Sequence, residues 1–138
     1  MQPIVVSWDG GVRFTADVRG HKVTVDQPRR GGGDDSAPMP VELVPAALGT
    51  CVALYVQQFL TTRSLDATGM TVEVNTVGAA NPNRISRFEV EVKIPGGVPE
   101  KYRDAVKRAA EGCTVHHTLT HEPEIAVSVV EGSAAALP

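Results

Sequence analysis

The stretch Pro40-Val-Glu-Leu-Val-Pro-Ala-Ala-Leu-Gly-Thr-Cys-Val-Ala-Leu-Tyr-Val-Gln-Gln-Phe-Leu-Thr-Thr-Arg63 decides the architecture. Its apolar residues, among them Leu43, Val44, Leu48, Cys51, Val52, Leu54, Tyr55, Val56, Phe59 and Leu60, cover nearly the whole circumference of a helix. A helix apolar on every side must be buried on every side, and one small sheet cannot cover it. The stretch therefore predicts a central helix over 40–63 and a second copy of the chain packed against it. Pro45 lies early in this helix, where a missing N–H is expected to cost a hydrogen bond or to kink the first turn.

Upstream, residues 4–8 (Ile-Val-Val-Ser-Trp), 12–18 (Val-Arg-Phe-Thr-Ala-Asp-Val) and 21–25 (His-Lys-Val-Thr-Val) read as three short strands. Asp9-Gly10-Gly11 and Arg19-Gly20 are the turns between them, which makes an N-terminal β-meander. Residues 27–38, with Pro28 and the run Gly31-Gly32-Gly33, read as a mobile loop. No Gly-Lys-Ser/Thr follows the glycines, so a phosphate loop is excluded.

Downstream, residues 70–77 and 85–94 alternate with period two around a turn at Gly78–Asn83, a β-hairpin. Pro99 to Gly112 is amphipathic, with Tyr102, Val106, Ala109 and Cys113, or else Ala105 and Ala109, on its inner side. Thr114–Thr120 either continues this helix or forms another after Gly112. Ile125–Val130 is the expected final strand, and the tail Gly132–Pro138 is expected to fray. The elements make one α+β domain over 1–138.

Composition bounds the function. Of 138 residues, 42% are apolar and 21% charged, ordinary values for a globular domain. A net charge of −3 offers no electrostatic reason to bind nucleic acid or an anionic membrane. No segment reads as a run of roughly 18 uninterrupted apolar residues, so no membrane span is expected. Met1-Gln-Pro-Ile-Val-Val has no basic stretch before an apolar core and does not read as a signal peptide. The expected location is cytoplasmic. In that reducing setting Cys51 and Cys113 are either buried apolar residues or a working dithiol.

Cys51 ends Pro40-Val-Glu-Leu-Val-Pro-Ala-Ala-Leu-Gly-Thr-Cys51, and Cys113 begins Cys113-Thr-Val-His-His-Thr-Leu119. With these motifs, and with the order meander, helix, hairpin, helix, strand, the chain resembles the OsmC/Ohr family over about residues 4–130. The resemblance implies a swapped homodimer with two long helices packed between sheets. It implies that Cys51 is peroxidatic, attacking an organic hydroperoxide to form a sulfenic acid, and that Cys113 resolves this to a disulfide. An external dithiol would then reduce the disulfide, and no cofactor is involved.

A thiol of ordinary pKa, about 8.5, is only a few per cent thiolate at neutral pH, so a reactive Cys51 needs a nearby cation or donor. The family's peroxidases use an arginine held by a glutamate ten residues before the cysteine. This chain has Val41 there, and Glu42 one position on, a rotation of about 100°. Glu42 is the candidate for the catalytic carboxylate, or else an acidic residue that suits the helix dipole. Arg13, Arg19, Arg29 and Arg30 all remain candidates for the cation. Cys113, His116, His117 and His121 form a second constellation: a transition-metal set if one helix carries them, or exposed histidines near a helix end. Two functions are consistent with these residues, a thiol peroxidase and a non-enzymatic dimer that binds a small apolar ligand or a metal.

Overall fold

The structure, a computed structural model, describes residues 1–132. Apart from Gly132, the tail expected to fray lies outside the described residues. The meander forms as the alternation predicts: β1 (Val5–Gly10), β2 (Arg13–Val18) and β3 (His21–Val25) pair antiparallel in that order. The β2–β3 turn places Arg19 and Gly20 at φ 58° and 87°, and the Gly20 N–H donates to Asp17 Oδ1 at 2.7 Å. Two left-handed central residues match the twist of the strands they join.

The loop after β3 is not the mobile segment expected from its glycines. It folds around Asp26, which is only 3% exposed. The Asp26 carboxylate accepts the N–H groups of Gln27 (2.8 Å), Asp34 (3.2 Å) and Ser36 (3.0 Å) and the Ser36 hydroxyl (2.7 Å). A burial that costs solvation is thereby offset by charge-assisted bonds. Those bonds, from the Ser36 hydroxyl first and then from the backbone N–H groups, hold the Asp26 carboxyl down at about 2. The glycine run has a packing reason too: a Cβ on Gly33 would lie 2.0 Å from the Gln27 carbonyl oxygen.

A 3-10 turn, Pro40–Glu42, leads into α1 (Leu43–Thr61). Pro45 is the third residue of α1, where a backbone N–H has no partner within the helix, so its missing donor creates no break. Leu48, Gly49, Val52, Val56 and Leu60 are the buried stripe. The expectation that α1 is buried all round does not hold within one chain. Its other side, including Leu54 at 51% exposure, is uncovered.

The stripe packs on the hairpin β4 (Thr71–Ala79) and β5 (Arg84–Lys93) and on α2 (Arg103–Glu111). Val106 and Cys113 complete the core with Leu48, Val52, Val56 and Leu60. By length and composition the 22-residue segment Pro40–Thr61 is apolar enough to cross a membrane, which the run-length criterion passed over. Thr50, Gln57 and Gln58 interrupt the run, and the stripe's place in this core gives its apolar side a partner.

Gly112 breaks the second helical stretch, and α3 (Thr114–Thr120) follows. The final strand expected at Ile125–Val130 is absent. That segment runs without strand pairing, and Ile125, Val127, Val129 and Val130 are 82–93% exposed. A strand needs a neighbouring edge, and within one chain neither sheet lies beside this segment.

Candidate functional site

The two cysteines, 62 positions apart in sequence, come together where α1 meets the start of α3. Cys51 is on the buried side of α1 but only half-buried, in contact with the core cluster. Cys113 is fully buried, with 0% exposure, and both thiols are free. Cys113 is the residue before α3, in an extended conformation, and its Sγ accepts the backbone N–H of His116 at 3.3 Å. It thus caps the helix in the way a serine usually does.

Burial pushes the Cys113 thiol up, because the thiolate would lie in the core. The His116 N–H pulls in the opposite direction, and the neighbouring Cys51 side chain adds to the upward push. Burial therefore keeps the Cys113 sulfur protonated at neutral pH, and Cys51 is the sulfur within reach of solvent.

The Tyr55 hydroxyl and Thr114 Oγ1 are 3.1 Å apart and bridge α1 to α3. Tyr55 is one turn after Cys51, and Thr114 is next to Cys113. No sequence signal joins two residues 59 positions apart, so this bridge was invisible in the sequence.

Glu42 sits in the turn that leads into α1: its Oε2 accepts the Met39 N–H at 2.8 Å and closes that 3-10 turn. A cleft of about 650 Å³ lies between the start of α1, β5 and α3, lined by Leu48 and His116, each three residues from a cysteine, but by neither cysteine itself. Val44, Leu48, Phe88, Val90 and Leu119 give it an apolar lining, with His116 on the α3 side and Arg84 at the hairpin end.

The Cys113–His121 metal set does not assemble. Among the described residues no three His, Cys, Asp or Glu side chains converge on a point suited to an ion. Cys113 begins α3 with its sulfur turned to the His116 N–H, and the rings of His117 and His121 stand with centroids 6.0 Å apart. The even helical spacing from 113 to 121 fails because Cys113 is outside the helix.

The family model described as OsmC-like protein matches residues 32–128, which spans the Asp26 loop's end, both cysteines and α3. The chain belongs to the OsmC-like family. Solved OsmC-like structures share its fold. A Psychrobacter arcticus protein, described as an osmotic stress induced and detoxification response protein, is 23% identical with a TM-score of 0.77. The match covers 86% of this chain and 88% of that one. An OsmC-like protein from Mycoplasma pneumoniae is 14% identical, TM-score 0.72, over 86% of each chain. An organic hydroperoxide resistance protein, OsmC, from Legionella pneumophila is 20% identical, TM-score 0.56, over 86% of this chain and 90% of its own. No curated protein sequence matches.

Proposed function

We propose that this OsmC-like protein is a cysteine-based peroxidase that reduces organic hydroperoxides, acting as a homodimer in the reducing cytoplasm. The observation that carries the reading is the unequal pair: a half-buried Cys51 in contact with a core that encloses Cys113. A peroxidatic sulfur must be reached by its substrate, and a resolving sulfur has only to be reached by its partner.

The chemistry runs in three steps. The Cys51 thiolate attacks the outer peroxide oxygen, the O–O bond breaks, Cys51 becomes a sulfenic acid, and the departing alkoxide leaves as the alcohol by taking from water the proton that Cys51 released on ionising. The Cys113 thiol then attacks the Cys51 sulfur, water leaves, and a disulfide forms. An external dithiol returns both cysteines to thiols and is itself oxidised. The electrons come from sulfur throughout, and Cys113, held protonated by burial, carries its own proton to the departing water. Glu42 is the carboxylate we assign to holding a cation toward Cys51: Met39 occupies Oε2 and leaves Oε1 for it. The apolar cleft suits a hydroperoxide with a hydrocarbon body better than hydrogen peroxide.

Val41, at the position where the family's peroxidases keep their glutamate, favours a second reading: a non-enzymatic dimer that holds a small apolar ligand in the same cleft. One titration separates them. With one equivalent of an organic hydroperoxide, the wild type should form an intramolecular Cys51–Cys113 disulfide by mass spectrometry. Cys113→Ser should consume one equivalent and retain a single oxygen on Cys51, and Cys51→Ser should consume none. Loss of the first turnover in Cys113→Ser with retention in Cys51→Ser reverses the assignment. A wild type that consumes no peroxide moves the reading to the ligand-binding dimer.

A further inference from the structure

We infer that Tyr55 and Thr114 are a positioning pair, whose hydrogen bond between α1 and α3 sets the approach of Cys113 to Cys51 and so the ease of disulfide formation. The inference rests on the reading of the cysteines as a working pair.

The two cysteines are on different elements, and each helix carries its sulfur rigidly. Cys51 moves with α1. Cys113 is tied to α3 through its own cap, because its Sγ accepts the His116 N–H. Whatever fixes α1 against α3 therefore fixes the gap between the sulfurs. Core packing holds the two elements together without direction, since Cys113 shares a cluster with Leu48, Val52, Val56 and Leu60 and Val115 of α3 packs against it. The Tyr55–Thr114 bond, 3.1 Å long, is a direct polar link between the two helices, and its residues flank the cysteines at the next turn and the next position. A disulfide tolerates Cα separations only in a band of roughly 4.4–6.8 Å, so small helix shifts matter. Moving Thr114 away moves Cys113 with it.

The test needs no peroxide. The protein is equilibrated in glutathione buffers of graded ratio, and the fraction of Cys51–Cys113 disulfide is read after acid quench and thiol alkylation. In this exchange glutathione disulfide is reduced to two glutathiones while the two protein thiols lose two electrons and two protons. Tyr55→Phe and Thr114→Val should each lower the disulfide's formation constant about threefold, the size expected for one exposed hydrogen bond. The double variant should lose no more than either single one, and Thr114→Ser should retain the wild-type constant. Asp66→Ala, which removes an acceptor from the Thr68 N–H in a distant turn, controls for general loss of stability and should leave the constant unchanged. Additive losses in the double variant, an unchanged constant in Tyr55→Phe, or a wild type that forms no intramolecular disulfide each overturn the inference. Peroxide consumption is then measured on the same samples. Its absence alongside a shifted constant defeats the peroxidase reading and leaves the positioning pair intact.

Discussion

Single residues carry the chemistry here, and their value comes from neighbours that the sequence does not announce. Cys51 and Cys113 were legible as a pair because their flanking motifs are distinctive. That Cys113 is a helix cap with a raised thiol was not legible, because it depends on a break at Gly112 and on burial by α1. Asp26 was missed altogether: its partners lie up to ten residues on, in a stretch whose glycines signal only flexibility. Its carboxyl, held at about 2 against an ordinary 3.8, makes a pH prediction. A folded-state pKa below the unfolded one means the stabilisation is fully present above about pH 4 and is lost as pH falls toward 2. Asp26→Asn should therefore show a lower urea midpoint and faster proteolysis between residues 27 and 38 at neutral pH. The gap to wild type should close over that acid window. A gap that stays constant down to pH 2 would show that the carboxylate's charge is not what holds the loop.

Among the elements, strands and helices followed their periodicity to within a few residues, because alternation and the apolar stripe are local properties. β3 keeps the bounds of its alternation, and of the two alternatives for 114–120 the separate helix forms, whereas 125–130 alternates without becoming a strand, since pairing depends on an edge supplied from elsewhere. At Gly49, α1 crosses β4 in close contact. A Cβ there would lie 3.0 Å from Val74 Cγ2. Replacing glycine by alanine inside a helix ordinarily gains about 1 kcal/mol. Overpacking a filled contact costs typically about 1–3 kcal/mol. Val74 is β-branched and stands on a strand paired along its length with β5, so it has little room to give. The overpacking term should win: Gly49→Ala should lower the urea midpoint, with the disulfide constant of the nearby thiols shifting as α1 lifts. A raised midpoint would show that Val74 yields and that the helix approach is looser than its geometry.

At the scale of the whole molecule, the single chain leaves three apolar surfaces open. The meander pairs within itself and makes only sparse contact with the other elements, so Ile4, Val5, Val6 and Trp8 are exposed, Trp8 at 69%. One side of α1 is uncovered, and the segment 122–130 presents alternate Ile125, Val127 and Val129 with no strand beside it. Exposed apolar area on this scale marks an interaction surface. A second copy would supply another α1 for the open helix face and sheet edges for the unpaired segment, and its apolar surface would cover the meander's. The chain should therefore be a homodimer whose subunits do not stay folded apart. Trp8, the only tryptophan, reports on this directly. Sedimentation should give a dimer at micromolar concentration, with Trp8 emission blue-shifted as in an apolar site. Dilution or urea should lower the sedimentation coefficient, redden Trp8 and melt the helices in one concentration-dependent transition. Trp8→Asp should move that transition to higher protein concentration. A folded monomer with red-shifted Trp8 emission would mean the open surfaces await a different partner.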